Sequence, residues 1–107
     1  MTEFDPTGID QHQPGAKLDG GKTRAGLVLG GFSKALDAVA QVGTYGATRY
    51  TPRGWEVVPD GKERYLDAAY RHLLAGDGLD ESGLPHRWHL AWNILAVLEL
   101  ERRSENP

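Results

Sequence analysis

The sequence predicts an all-α fold, a small bundle of three to four helices behind a Gly-rich N-terminal loop. Three observations carry this. Apolar residues recur at helical spacing in three separate stretches. Residues that start or stop helices (Ser33, Asp60, Gly76 and Pro85) stand where those stretches begin or end. A length of 107 residues suits one domain that buries a single core without staples.

In chain order, residues 1–15 are polar, rich in Gly and Pro, and without a period that makes an amphipathic face, so a flexible tail is expected there. Residues 16–103 form the domain. Lys17 to Gly31 is Gly-rich and basic, an ordered loop around Leu27-Val28-Leu29, a triplet expected to tuck into the core. Ser33 is a good N-cap for a helix to about Arg49, with Leu36, Val39, Ala40, Gly43 and Ala47 on its apolar face. Tyr50 to Pro59 is a loop in which Trp55 to Val58 can be extended. Asp60 and Glu63 suggest a capping box for a second helix, whose buried stripe is read as Leu66, Ala69, Tyr70 and Leu73 and which Gly76 ends. Pro85 suits the first turn of a third helix reaching about Arg103, where Arg102 and Arg103 complement the dipole.

Composition narrows the function classes. There is no Cys, which excludes disulfides and thiolate metal sites; with no apolar signal segment, the cytoplasm is the expected compartment. The apolar run from Leu90 to Leu100 is broken by Asn93 and Glu99 and is too short to cross a bilayer. A net charge of −3 gives no broad case for a nucleic acid polymer as partner. Local basic clusters must carry any anion binding.

The third helix departs from a plain core helix. At 100° per residue, His86, His89, Leu90, Asn93, Val97 and Leu100 share one face, so three polar side chains continue an apolar stripe. Buried polar groups need partners, and three together point to a wet pocket, a ligand or a mutual network. Trp88, Trp92 and Leu95 make a second apolar stripe, which leaves the helix apolar nearly all round and predicts a homo-oligomer, with burial under the N-terminal segment as the alternative. On the second helix, His72 shares a side with Tyr65 and Ala69, and Arg71 lies across from it. A short antiparallel connection brings His72 near His86 and His89.

Several chemistries fit these residues. His72, His86 and His89, with Asp80 or Glu81 between them, suit a divalent metal of the Zn, Mn, Fe or Ni class; hydrogen-bonded core packing and a nucleotide or other polar ligand compete with it. The loop Ala16-Lys17-Leu18-Asp19-Gly20-Gly21-Lys22-Thr23 nearly spells a P-loop but lacks the βα context that motif needs. Its amides with Lys17, Lys22 and Arg24 can still hold a phosphate, or it is a solvated linker. Tyr45, Arg49, Tyr50, Arg53 and Trp55 are an aromatic and basic group that can stack a base and grip a phosphate, or simply cap the core. No Cys nucleophile exists, and Ser33, Ser82 and Ser104 lack a nucleophile-elbow context. The ExxE and ExxD carboxylates of MazG-like pyrophosphohydrolases, which hold Mg²⁺, are missing.

The runs Lys17-Leu-Asp19-Gly-Gly21-Lys22-Thr-Arg24 and Tyr45-Gly-Ala-Thr-Arg49-Tyr50, then Trp55, Tyr70-Arg71-His72-Leu73 and Glu81-Ser-Gly-Leu-Pro85-His86 with His89 and Asn93, together resemble the phage and bacterial dATP/dGTP diphosphohydrolase N-terminal domain family. Gly54 stands where the family commonly has Asn, and the loop before Glu81 is shorter. The resemblance implies a purine nucleotide ligand, with Lys17, Asp19, Lys22, Arg24, Tyr45, Arg49, Tyr50, Trp55, Arg71, His72, His86, His89 and Asn93 as binding candidates. The expectation is a standalone copy that binds a purine nucleotide without turnover, a sponge for a nucleotide immune signal. The alternative is a metal-dependent diphosphohydrolase releasing pyrophosphate.

Overall fold

The computed structural model describes residues 2–105 and divides the chain into two compact units, one up to Phe32 and one from Ser33. In the first unit, turns lead to a short helix, α1 (Ala25–Leu29), and a 3-10 turn at Gly30–Phe32. Residues 2–15 contain no helix but return to the Gly-rich loop. The Gly20 amide donates to the Phe4 carbonyl at 2.8 Å, and the Lys17 amide donates to Asp5 Oδ2 at 2.8 Å. A Cβ at Gly20 would run into the Phe4 ring. The Thr7 hydroxyl, then the Lys17 and Thr7 amides, hold the Asp5 carboxyl down to about 2. Leu27, Val28 and Leu29 do not tuck into a core: they form the helix itself and are more than half exposed. Five residues are too few to make a buried face of their own.

The second unit is all helix and connection: α2 (Ser33–Arg49), a 3-10 turn (Gly54–Val57), α3 (Gly61–Ala75) and α4 (His86–Glu105). α4 packs extensively on α3 and less on α2. α2 meets it along a narrow seam. Val42 is buried, and Gly43 comes so close that a Cβ there would lie 3.2 Å from Trp92 Nε1. Leu36 and Ala40, expected on the buried face, are exposed, because a helix with one principal neighbour buries only a thin stripe.

Of Trp55 to Val58, only Val58 is extended, and Trp55 to Val57 lie in the 3-10 turn. Arg53 adopts φ 58°, the 3-10 turn follows, and the Tyr65 hydroxyl donates to the Trp55 carbonyl at 2.7 Å. Trp55 is thereby turned inward into an edge-to-face trio with Tyr65 and Trp92, centroids 5.6–6.3 Å apart. Asp60 does occupy the N-cap of α3, but at φ 55° its carboxylate makes no cap hydrogen bond and the expected capping box with Glu63 does not form. The capping geometry needs β-region dihedrals, which aim the side chain at the first amides.

The buried stripe of α3 is also different from the one expected. Gly61 and Ala69 are buried and Tyr65 and His72 half-buried, whereas Leu66, Tyr70 and Leu73 are exposed. The aromatic trio and the imidazoles select this arc, since the Tyr65 hydroxyl finds the Trp55 carbonyl and His72 finds His86 on that side. On α4, His89, Asn93 and Ala96 are the buried residues, Trp88 and Trp92 are half-buried, and Leu95 is 49 % exposed.

Glu56 secures the outer edge of this packing. It accepts from Arg53 Nη2 at 2.7 Å and Arg103 Nη2 at 3.1 Å, and the Arg103 guanidinium lies 5.6 Å from the Trp55 ring centroid. The Arg53 hydrogen bonds, then that of Arg103, hold the Glu56 carboxyl below its ordinary 4.5. The unfolded chain therefore takes up this proton first, so the stability from Glu56 is complete above pH 4.5 and is lost as the pH falls through its lower folded value. Thermal melts of Glu56→Gln against the parent should differ at neutral pH and converge in acid. A pH-independent difference would show that the carboxylate charge contributes nothing.

Candidate functional site

Three segments meet where α3 ends and α4 begins. Gly76, at φ 73°, ends α3 by donating its amide to the His72 and Leu73 carbonyls. The chain then closes a small loop: the Asp80 amide donates to the Leu84 carbonyl, the Gly83 amide to the Asp80 carbonyl, and the His86 amide to the Gly78 carbonyl, all within 3.0 Å. Gly78 and Gly83 have φ values of 113° and 83°, a region side-chain-bearing residues rarely enter. The Pro85 carbonyl accepts the Trp88 and His89 amides in the first turn of α4, which starts at His86.

This loop delivers Asp80 to the imidazoles. His72 Nδ1 and His86 Nδ1 stand 2.9 Å apart, with one proton shared between them. The His72 and His89 rings stack, centroids 4.8 Å apart at 13°. His89 Nε2 lies 2.8 Å from Ser82 Oγ and 3.4 Å from Asp80 Oδ1. The Ser82 amide donates to Asp80 Oδ1 at 2.8 Å, an Asx turn that fixes the carboxylate. Donor atoms of His72, Asp80 and His86 lie within 4.8 Å of one another.

Electrostatics favours the neutral form of His72 and the ionised form of Asp80. Burial, then the approach of His89, pushes the His72 pKa down against the pull of Asp80. Burial works to raise the Asp80 carboxyl, but hydrogen bonds from Ser82 and the neighbouring His89 and His72 leave it lower than usual. Two imidazoles beside a carboxylate form a donor set for a divalent cation, and the same groups can accept and donate hydrogen bonds around a phosphate.

Of the candidates read from sequence, His72, His86 and His89 come together; the acid that completes the group is Asp80, while Glu81 points to Arg49. Arg49 Nη1 donates to Glu81 Oε1 at 3.0 Å and to Tyr45 Oη at 3.1 Å, and its guanidinium lies 5.6 Å from the Tyr50 ring centroid. An exposed cation and two tyrosines are thus tied to the loop that carries Asp80. Trp55 packs with Tyr65 and Trp92 instead. Arg71 is exposed beside His72 on the helix. Asn93 is 6 % exposed and spends its amide nitrogen on the His89 carbonyl at 2.8 Å. Lys17, Asp19, Lys22 and Arg24 belong to the unit that ends at Phe32. There the Lys22 amide donates to the Asp19 carbonyl, Lys22 pairs with Glu3 at 3.3 Å, and Arg24 precedes α1. Ser82 has no nucleophile context in the sequence, and its place as the link between Asp80 and His89 is readable there only from the Asp-x-Ser turn pattern.

The comparisons with known proteins bear on this geometry. A family described as dATP/dGTP diphosphohydrolase, N-terminal, matches residues 12–106. No curated protein and no solved structure matches the chain.

Proposed function

The chain belongs to the dATP/dGTP diphosphohydrolase N-terminal family, and from that premise we propose that it binds a purine nucleotide where α3, the loop and α4 meet, and retains it without turnover. The observation that carries this reading is the polar group of half-buried His72, Asp80 and His86 with buried His89, beside an exposed Arg49. The imidazoles and Arg49 supply donors for phosphate oxygens, and Tyr45 and Tyr50 supply faces for a base. Retention is favoured because this is the one cluster of three or more His and acidic groups among the described residues, and it holds a single carboxylate. Mg²⁺-dependent pyrophosphate release draws on several oxygen ligands. A phage-type protein of this kind would act as a sponge for a nucleotide immune signal in the host cytoplasm.

The second reading is hydrolysis. The His72, Asp80 and His86 donor set favours it, because a divalent ion held there would lower the pKa of a bound water. One incubation separates the two: purified protein with a purine nucleotide panel and Mg²⁺ or Mn²⁺, with mass spectrometry of the free pool and of material released by heat denaturation. Intact nucleotide recovered only after denaturation supports sequestration, and monophosphate formed in excess over protein supports the enzyme. An unchanged free pool with nothing released overturns both.

We also infer self-association through a second copy. Trp92 faces α2, so at 100° per residue Ile94 and Leu98 point to the side of α4 away from α2. In an antiparallel pair, Leu66, Tyr70 and Leu73 fall on that same side of α3. These five side chains are 39–58 % exposed. They amount to roughly 400 Å² of apolar surface, about half of the ~800 Å² per partner of a standard interface, the polar rim supplying the rest. Lys62, Arg87 and Glu101 flank the patch with charge, giving the apolar centre and polar rim of an isologous contact. Sedimentation equilibrium should give twice the monomer mass, and Leu66→Lys with Leu98→Lys should give the monomer. A monomeric parent protein at 100 µM or so would remove the inference.

A further inference from the structure

We propose that His72, Asp80 and His86 are a three-ligand site for a borderline transition-metal dication, with zinc as the reference ion, and that His89 positions Asp80 and is not a ligand. This narrows the ligand set that the sequence alone suggests, removing His89 and choosing Asp80 over Glu81.

The geometry distinguishes the four groups. His72 Nδ1 and His86 Nδ1 face each other at 2.9 Å. Two nitrogens on a tetrahedral zinc, each about 2.0–2.1 Å from it, stand roughly 3.3 Å apart, so an opening of a few tenths of an ångström converts the hydrogen-bonded pair into a ligand pair. Asp80 offers its carboxylate within 4.8 Å of both. His89 has its Nε2 engaged by Ser82 Oγ at 2.8 Å and lies stacked on the His72 ring. Ser82, whose amide also grips Asp80 Oδ1, joins His89 to the carboxylate. Such outer contacts orient ligands and typically change metal affinity by about 10–100-fold when lost.

The donor set also names the metal class. Two imidazoles with one carboxylate match zinc, cobalt and nickel, whereas magnesium takes oxygen ligands and keeps its waters. Three protein ligands leave a fourth position for water or a phosphate oxygen. That last use alone rests on the nucleotide reading above; the metal site is tested without any nucleotide.

The test is titration of the full chain with Zn²⁺ by calorimetry and with Co²⁺ by visible absorption, in the absence of nucleotide, with Mg²⁺ as the comparison ion. One equivalent of Zn²⁺ should bind at least 100-fold more tightly than Mg²⁺, and Co²⁺ should develop the intense visible bands of a four-coordinate site. His72→Ala and Asp80→Asn should each weaken Zn²⁺ by at least 100-fold. His89→Gln should weaken it by about 10–100-fold while retaining one equivalent and the four-coordinate spectrum. His12→Ala, in the other unit, should leave the titration unchanged. Far-UV circular dichroism identifies any variant that fails to fold, and Asp80→Asn, nearly isosteric and in the loop, keeps the test decisive if His72→Ala is such a case. No stoichiometric Zn²⁺ binding by the parent protein overturns the proposal, as does equal loss in His12→Ala, or loss of the whole site in His89→Gln with Asp80→Asn unaffected. Zinc binding without nucleotide binding would leave the metal site standing and remove the nucleotide reading.

Discussion

Replacing Trp92 with alanine should lower the unfolding free energy by about 3 kcal/mol, the low end of the range for losing a large aromatic from a core, because the ring is only half-buried. Trp92 joins three elements. Its ring meets Trp55 at 5.7 Å and Tyr65 at 5.6 Å, and its Nε1 lies against Gly43 of α2. Truncation therefore removes two edge-to-face contacts and opens the α2 seam in one step. The buried apolar residues are few and small (Val42, Ala69 and Ala96), so little else holds α2 to α4. For a domain of this size the midpoint should fall by roughly 10–20 °C. Thermal denaturation followed at 222 nm measures it. A fall of less than about 4 °C, equivalent to under 1 kcal/mol, would mean that the aromatic trio is surface cover and not core.

Where this fold was legible in sequence and where it was not follows from what decides each element. The bounds of α2, Ser33 to Arg49, follow from local signals alone. The inward face of α3 does not. That helix carries two apolar arcs, Leu66-Tyr70-Leu73 and Tyr65-Ala69-His72, and hydropathy prefers the first. The second is turned inward because Tyr65 and His72 find partners on that side: the Trp55 carbonyl of the 3-10 turn and the Trp92 ring for Tyr65, and His86 Nδ1 for His72. Likewise His72, His86 and His89 share an end of the bundle once the connection is read as antiparallel, but the place of Asp80 depends on backbone bonds closed across a ten-residue turn. Those bonds require positive φ at Gly78 and Gly83. No side-chain period encodes them, so Asp80 and Glu81 were equivalent in sequence and differ in the structure, one among the imidazoles and the other on Arg49.

The same dependence of the site on packing predicts the effect of Ala69→Leu. Ala69, 2 % exposed, lies on α3 between the level of Tyr65, which meets Trp92, and that of His72, which meets His86 and His89. Three added carbons have no space there without moving α3 from α4, and overpacking of this kind costs about 1–3 kcal/mol. Separation of the helices acts on the site as well, because the 2.9 Å His72–His86 contact spans the same interface one turn away. We expect a midpoint lowered by roughly 5–15 °C together with a Zn²⁺ affinity lowered at least tenfold, measured on protein held well below its melting range. Ala69→Gly is the counterpart: it loosens the helix by about 1 kcal/mol through propensity but leaves the interhelical distance alone, so zinc binding should persist in it. If both variants lose stability and neither loses zinc, the loop and α4 position the ligands by themselves and α3 contributes stability without setting the geometry of the site.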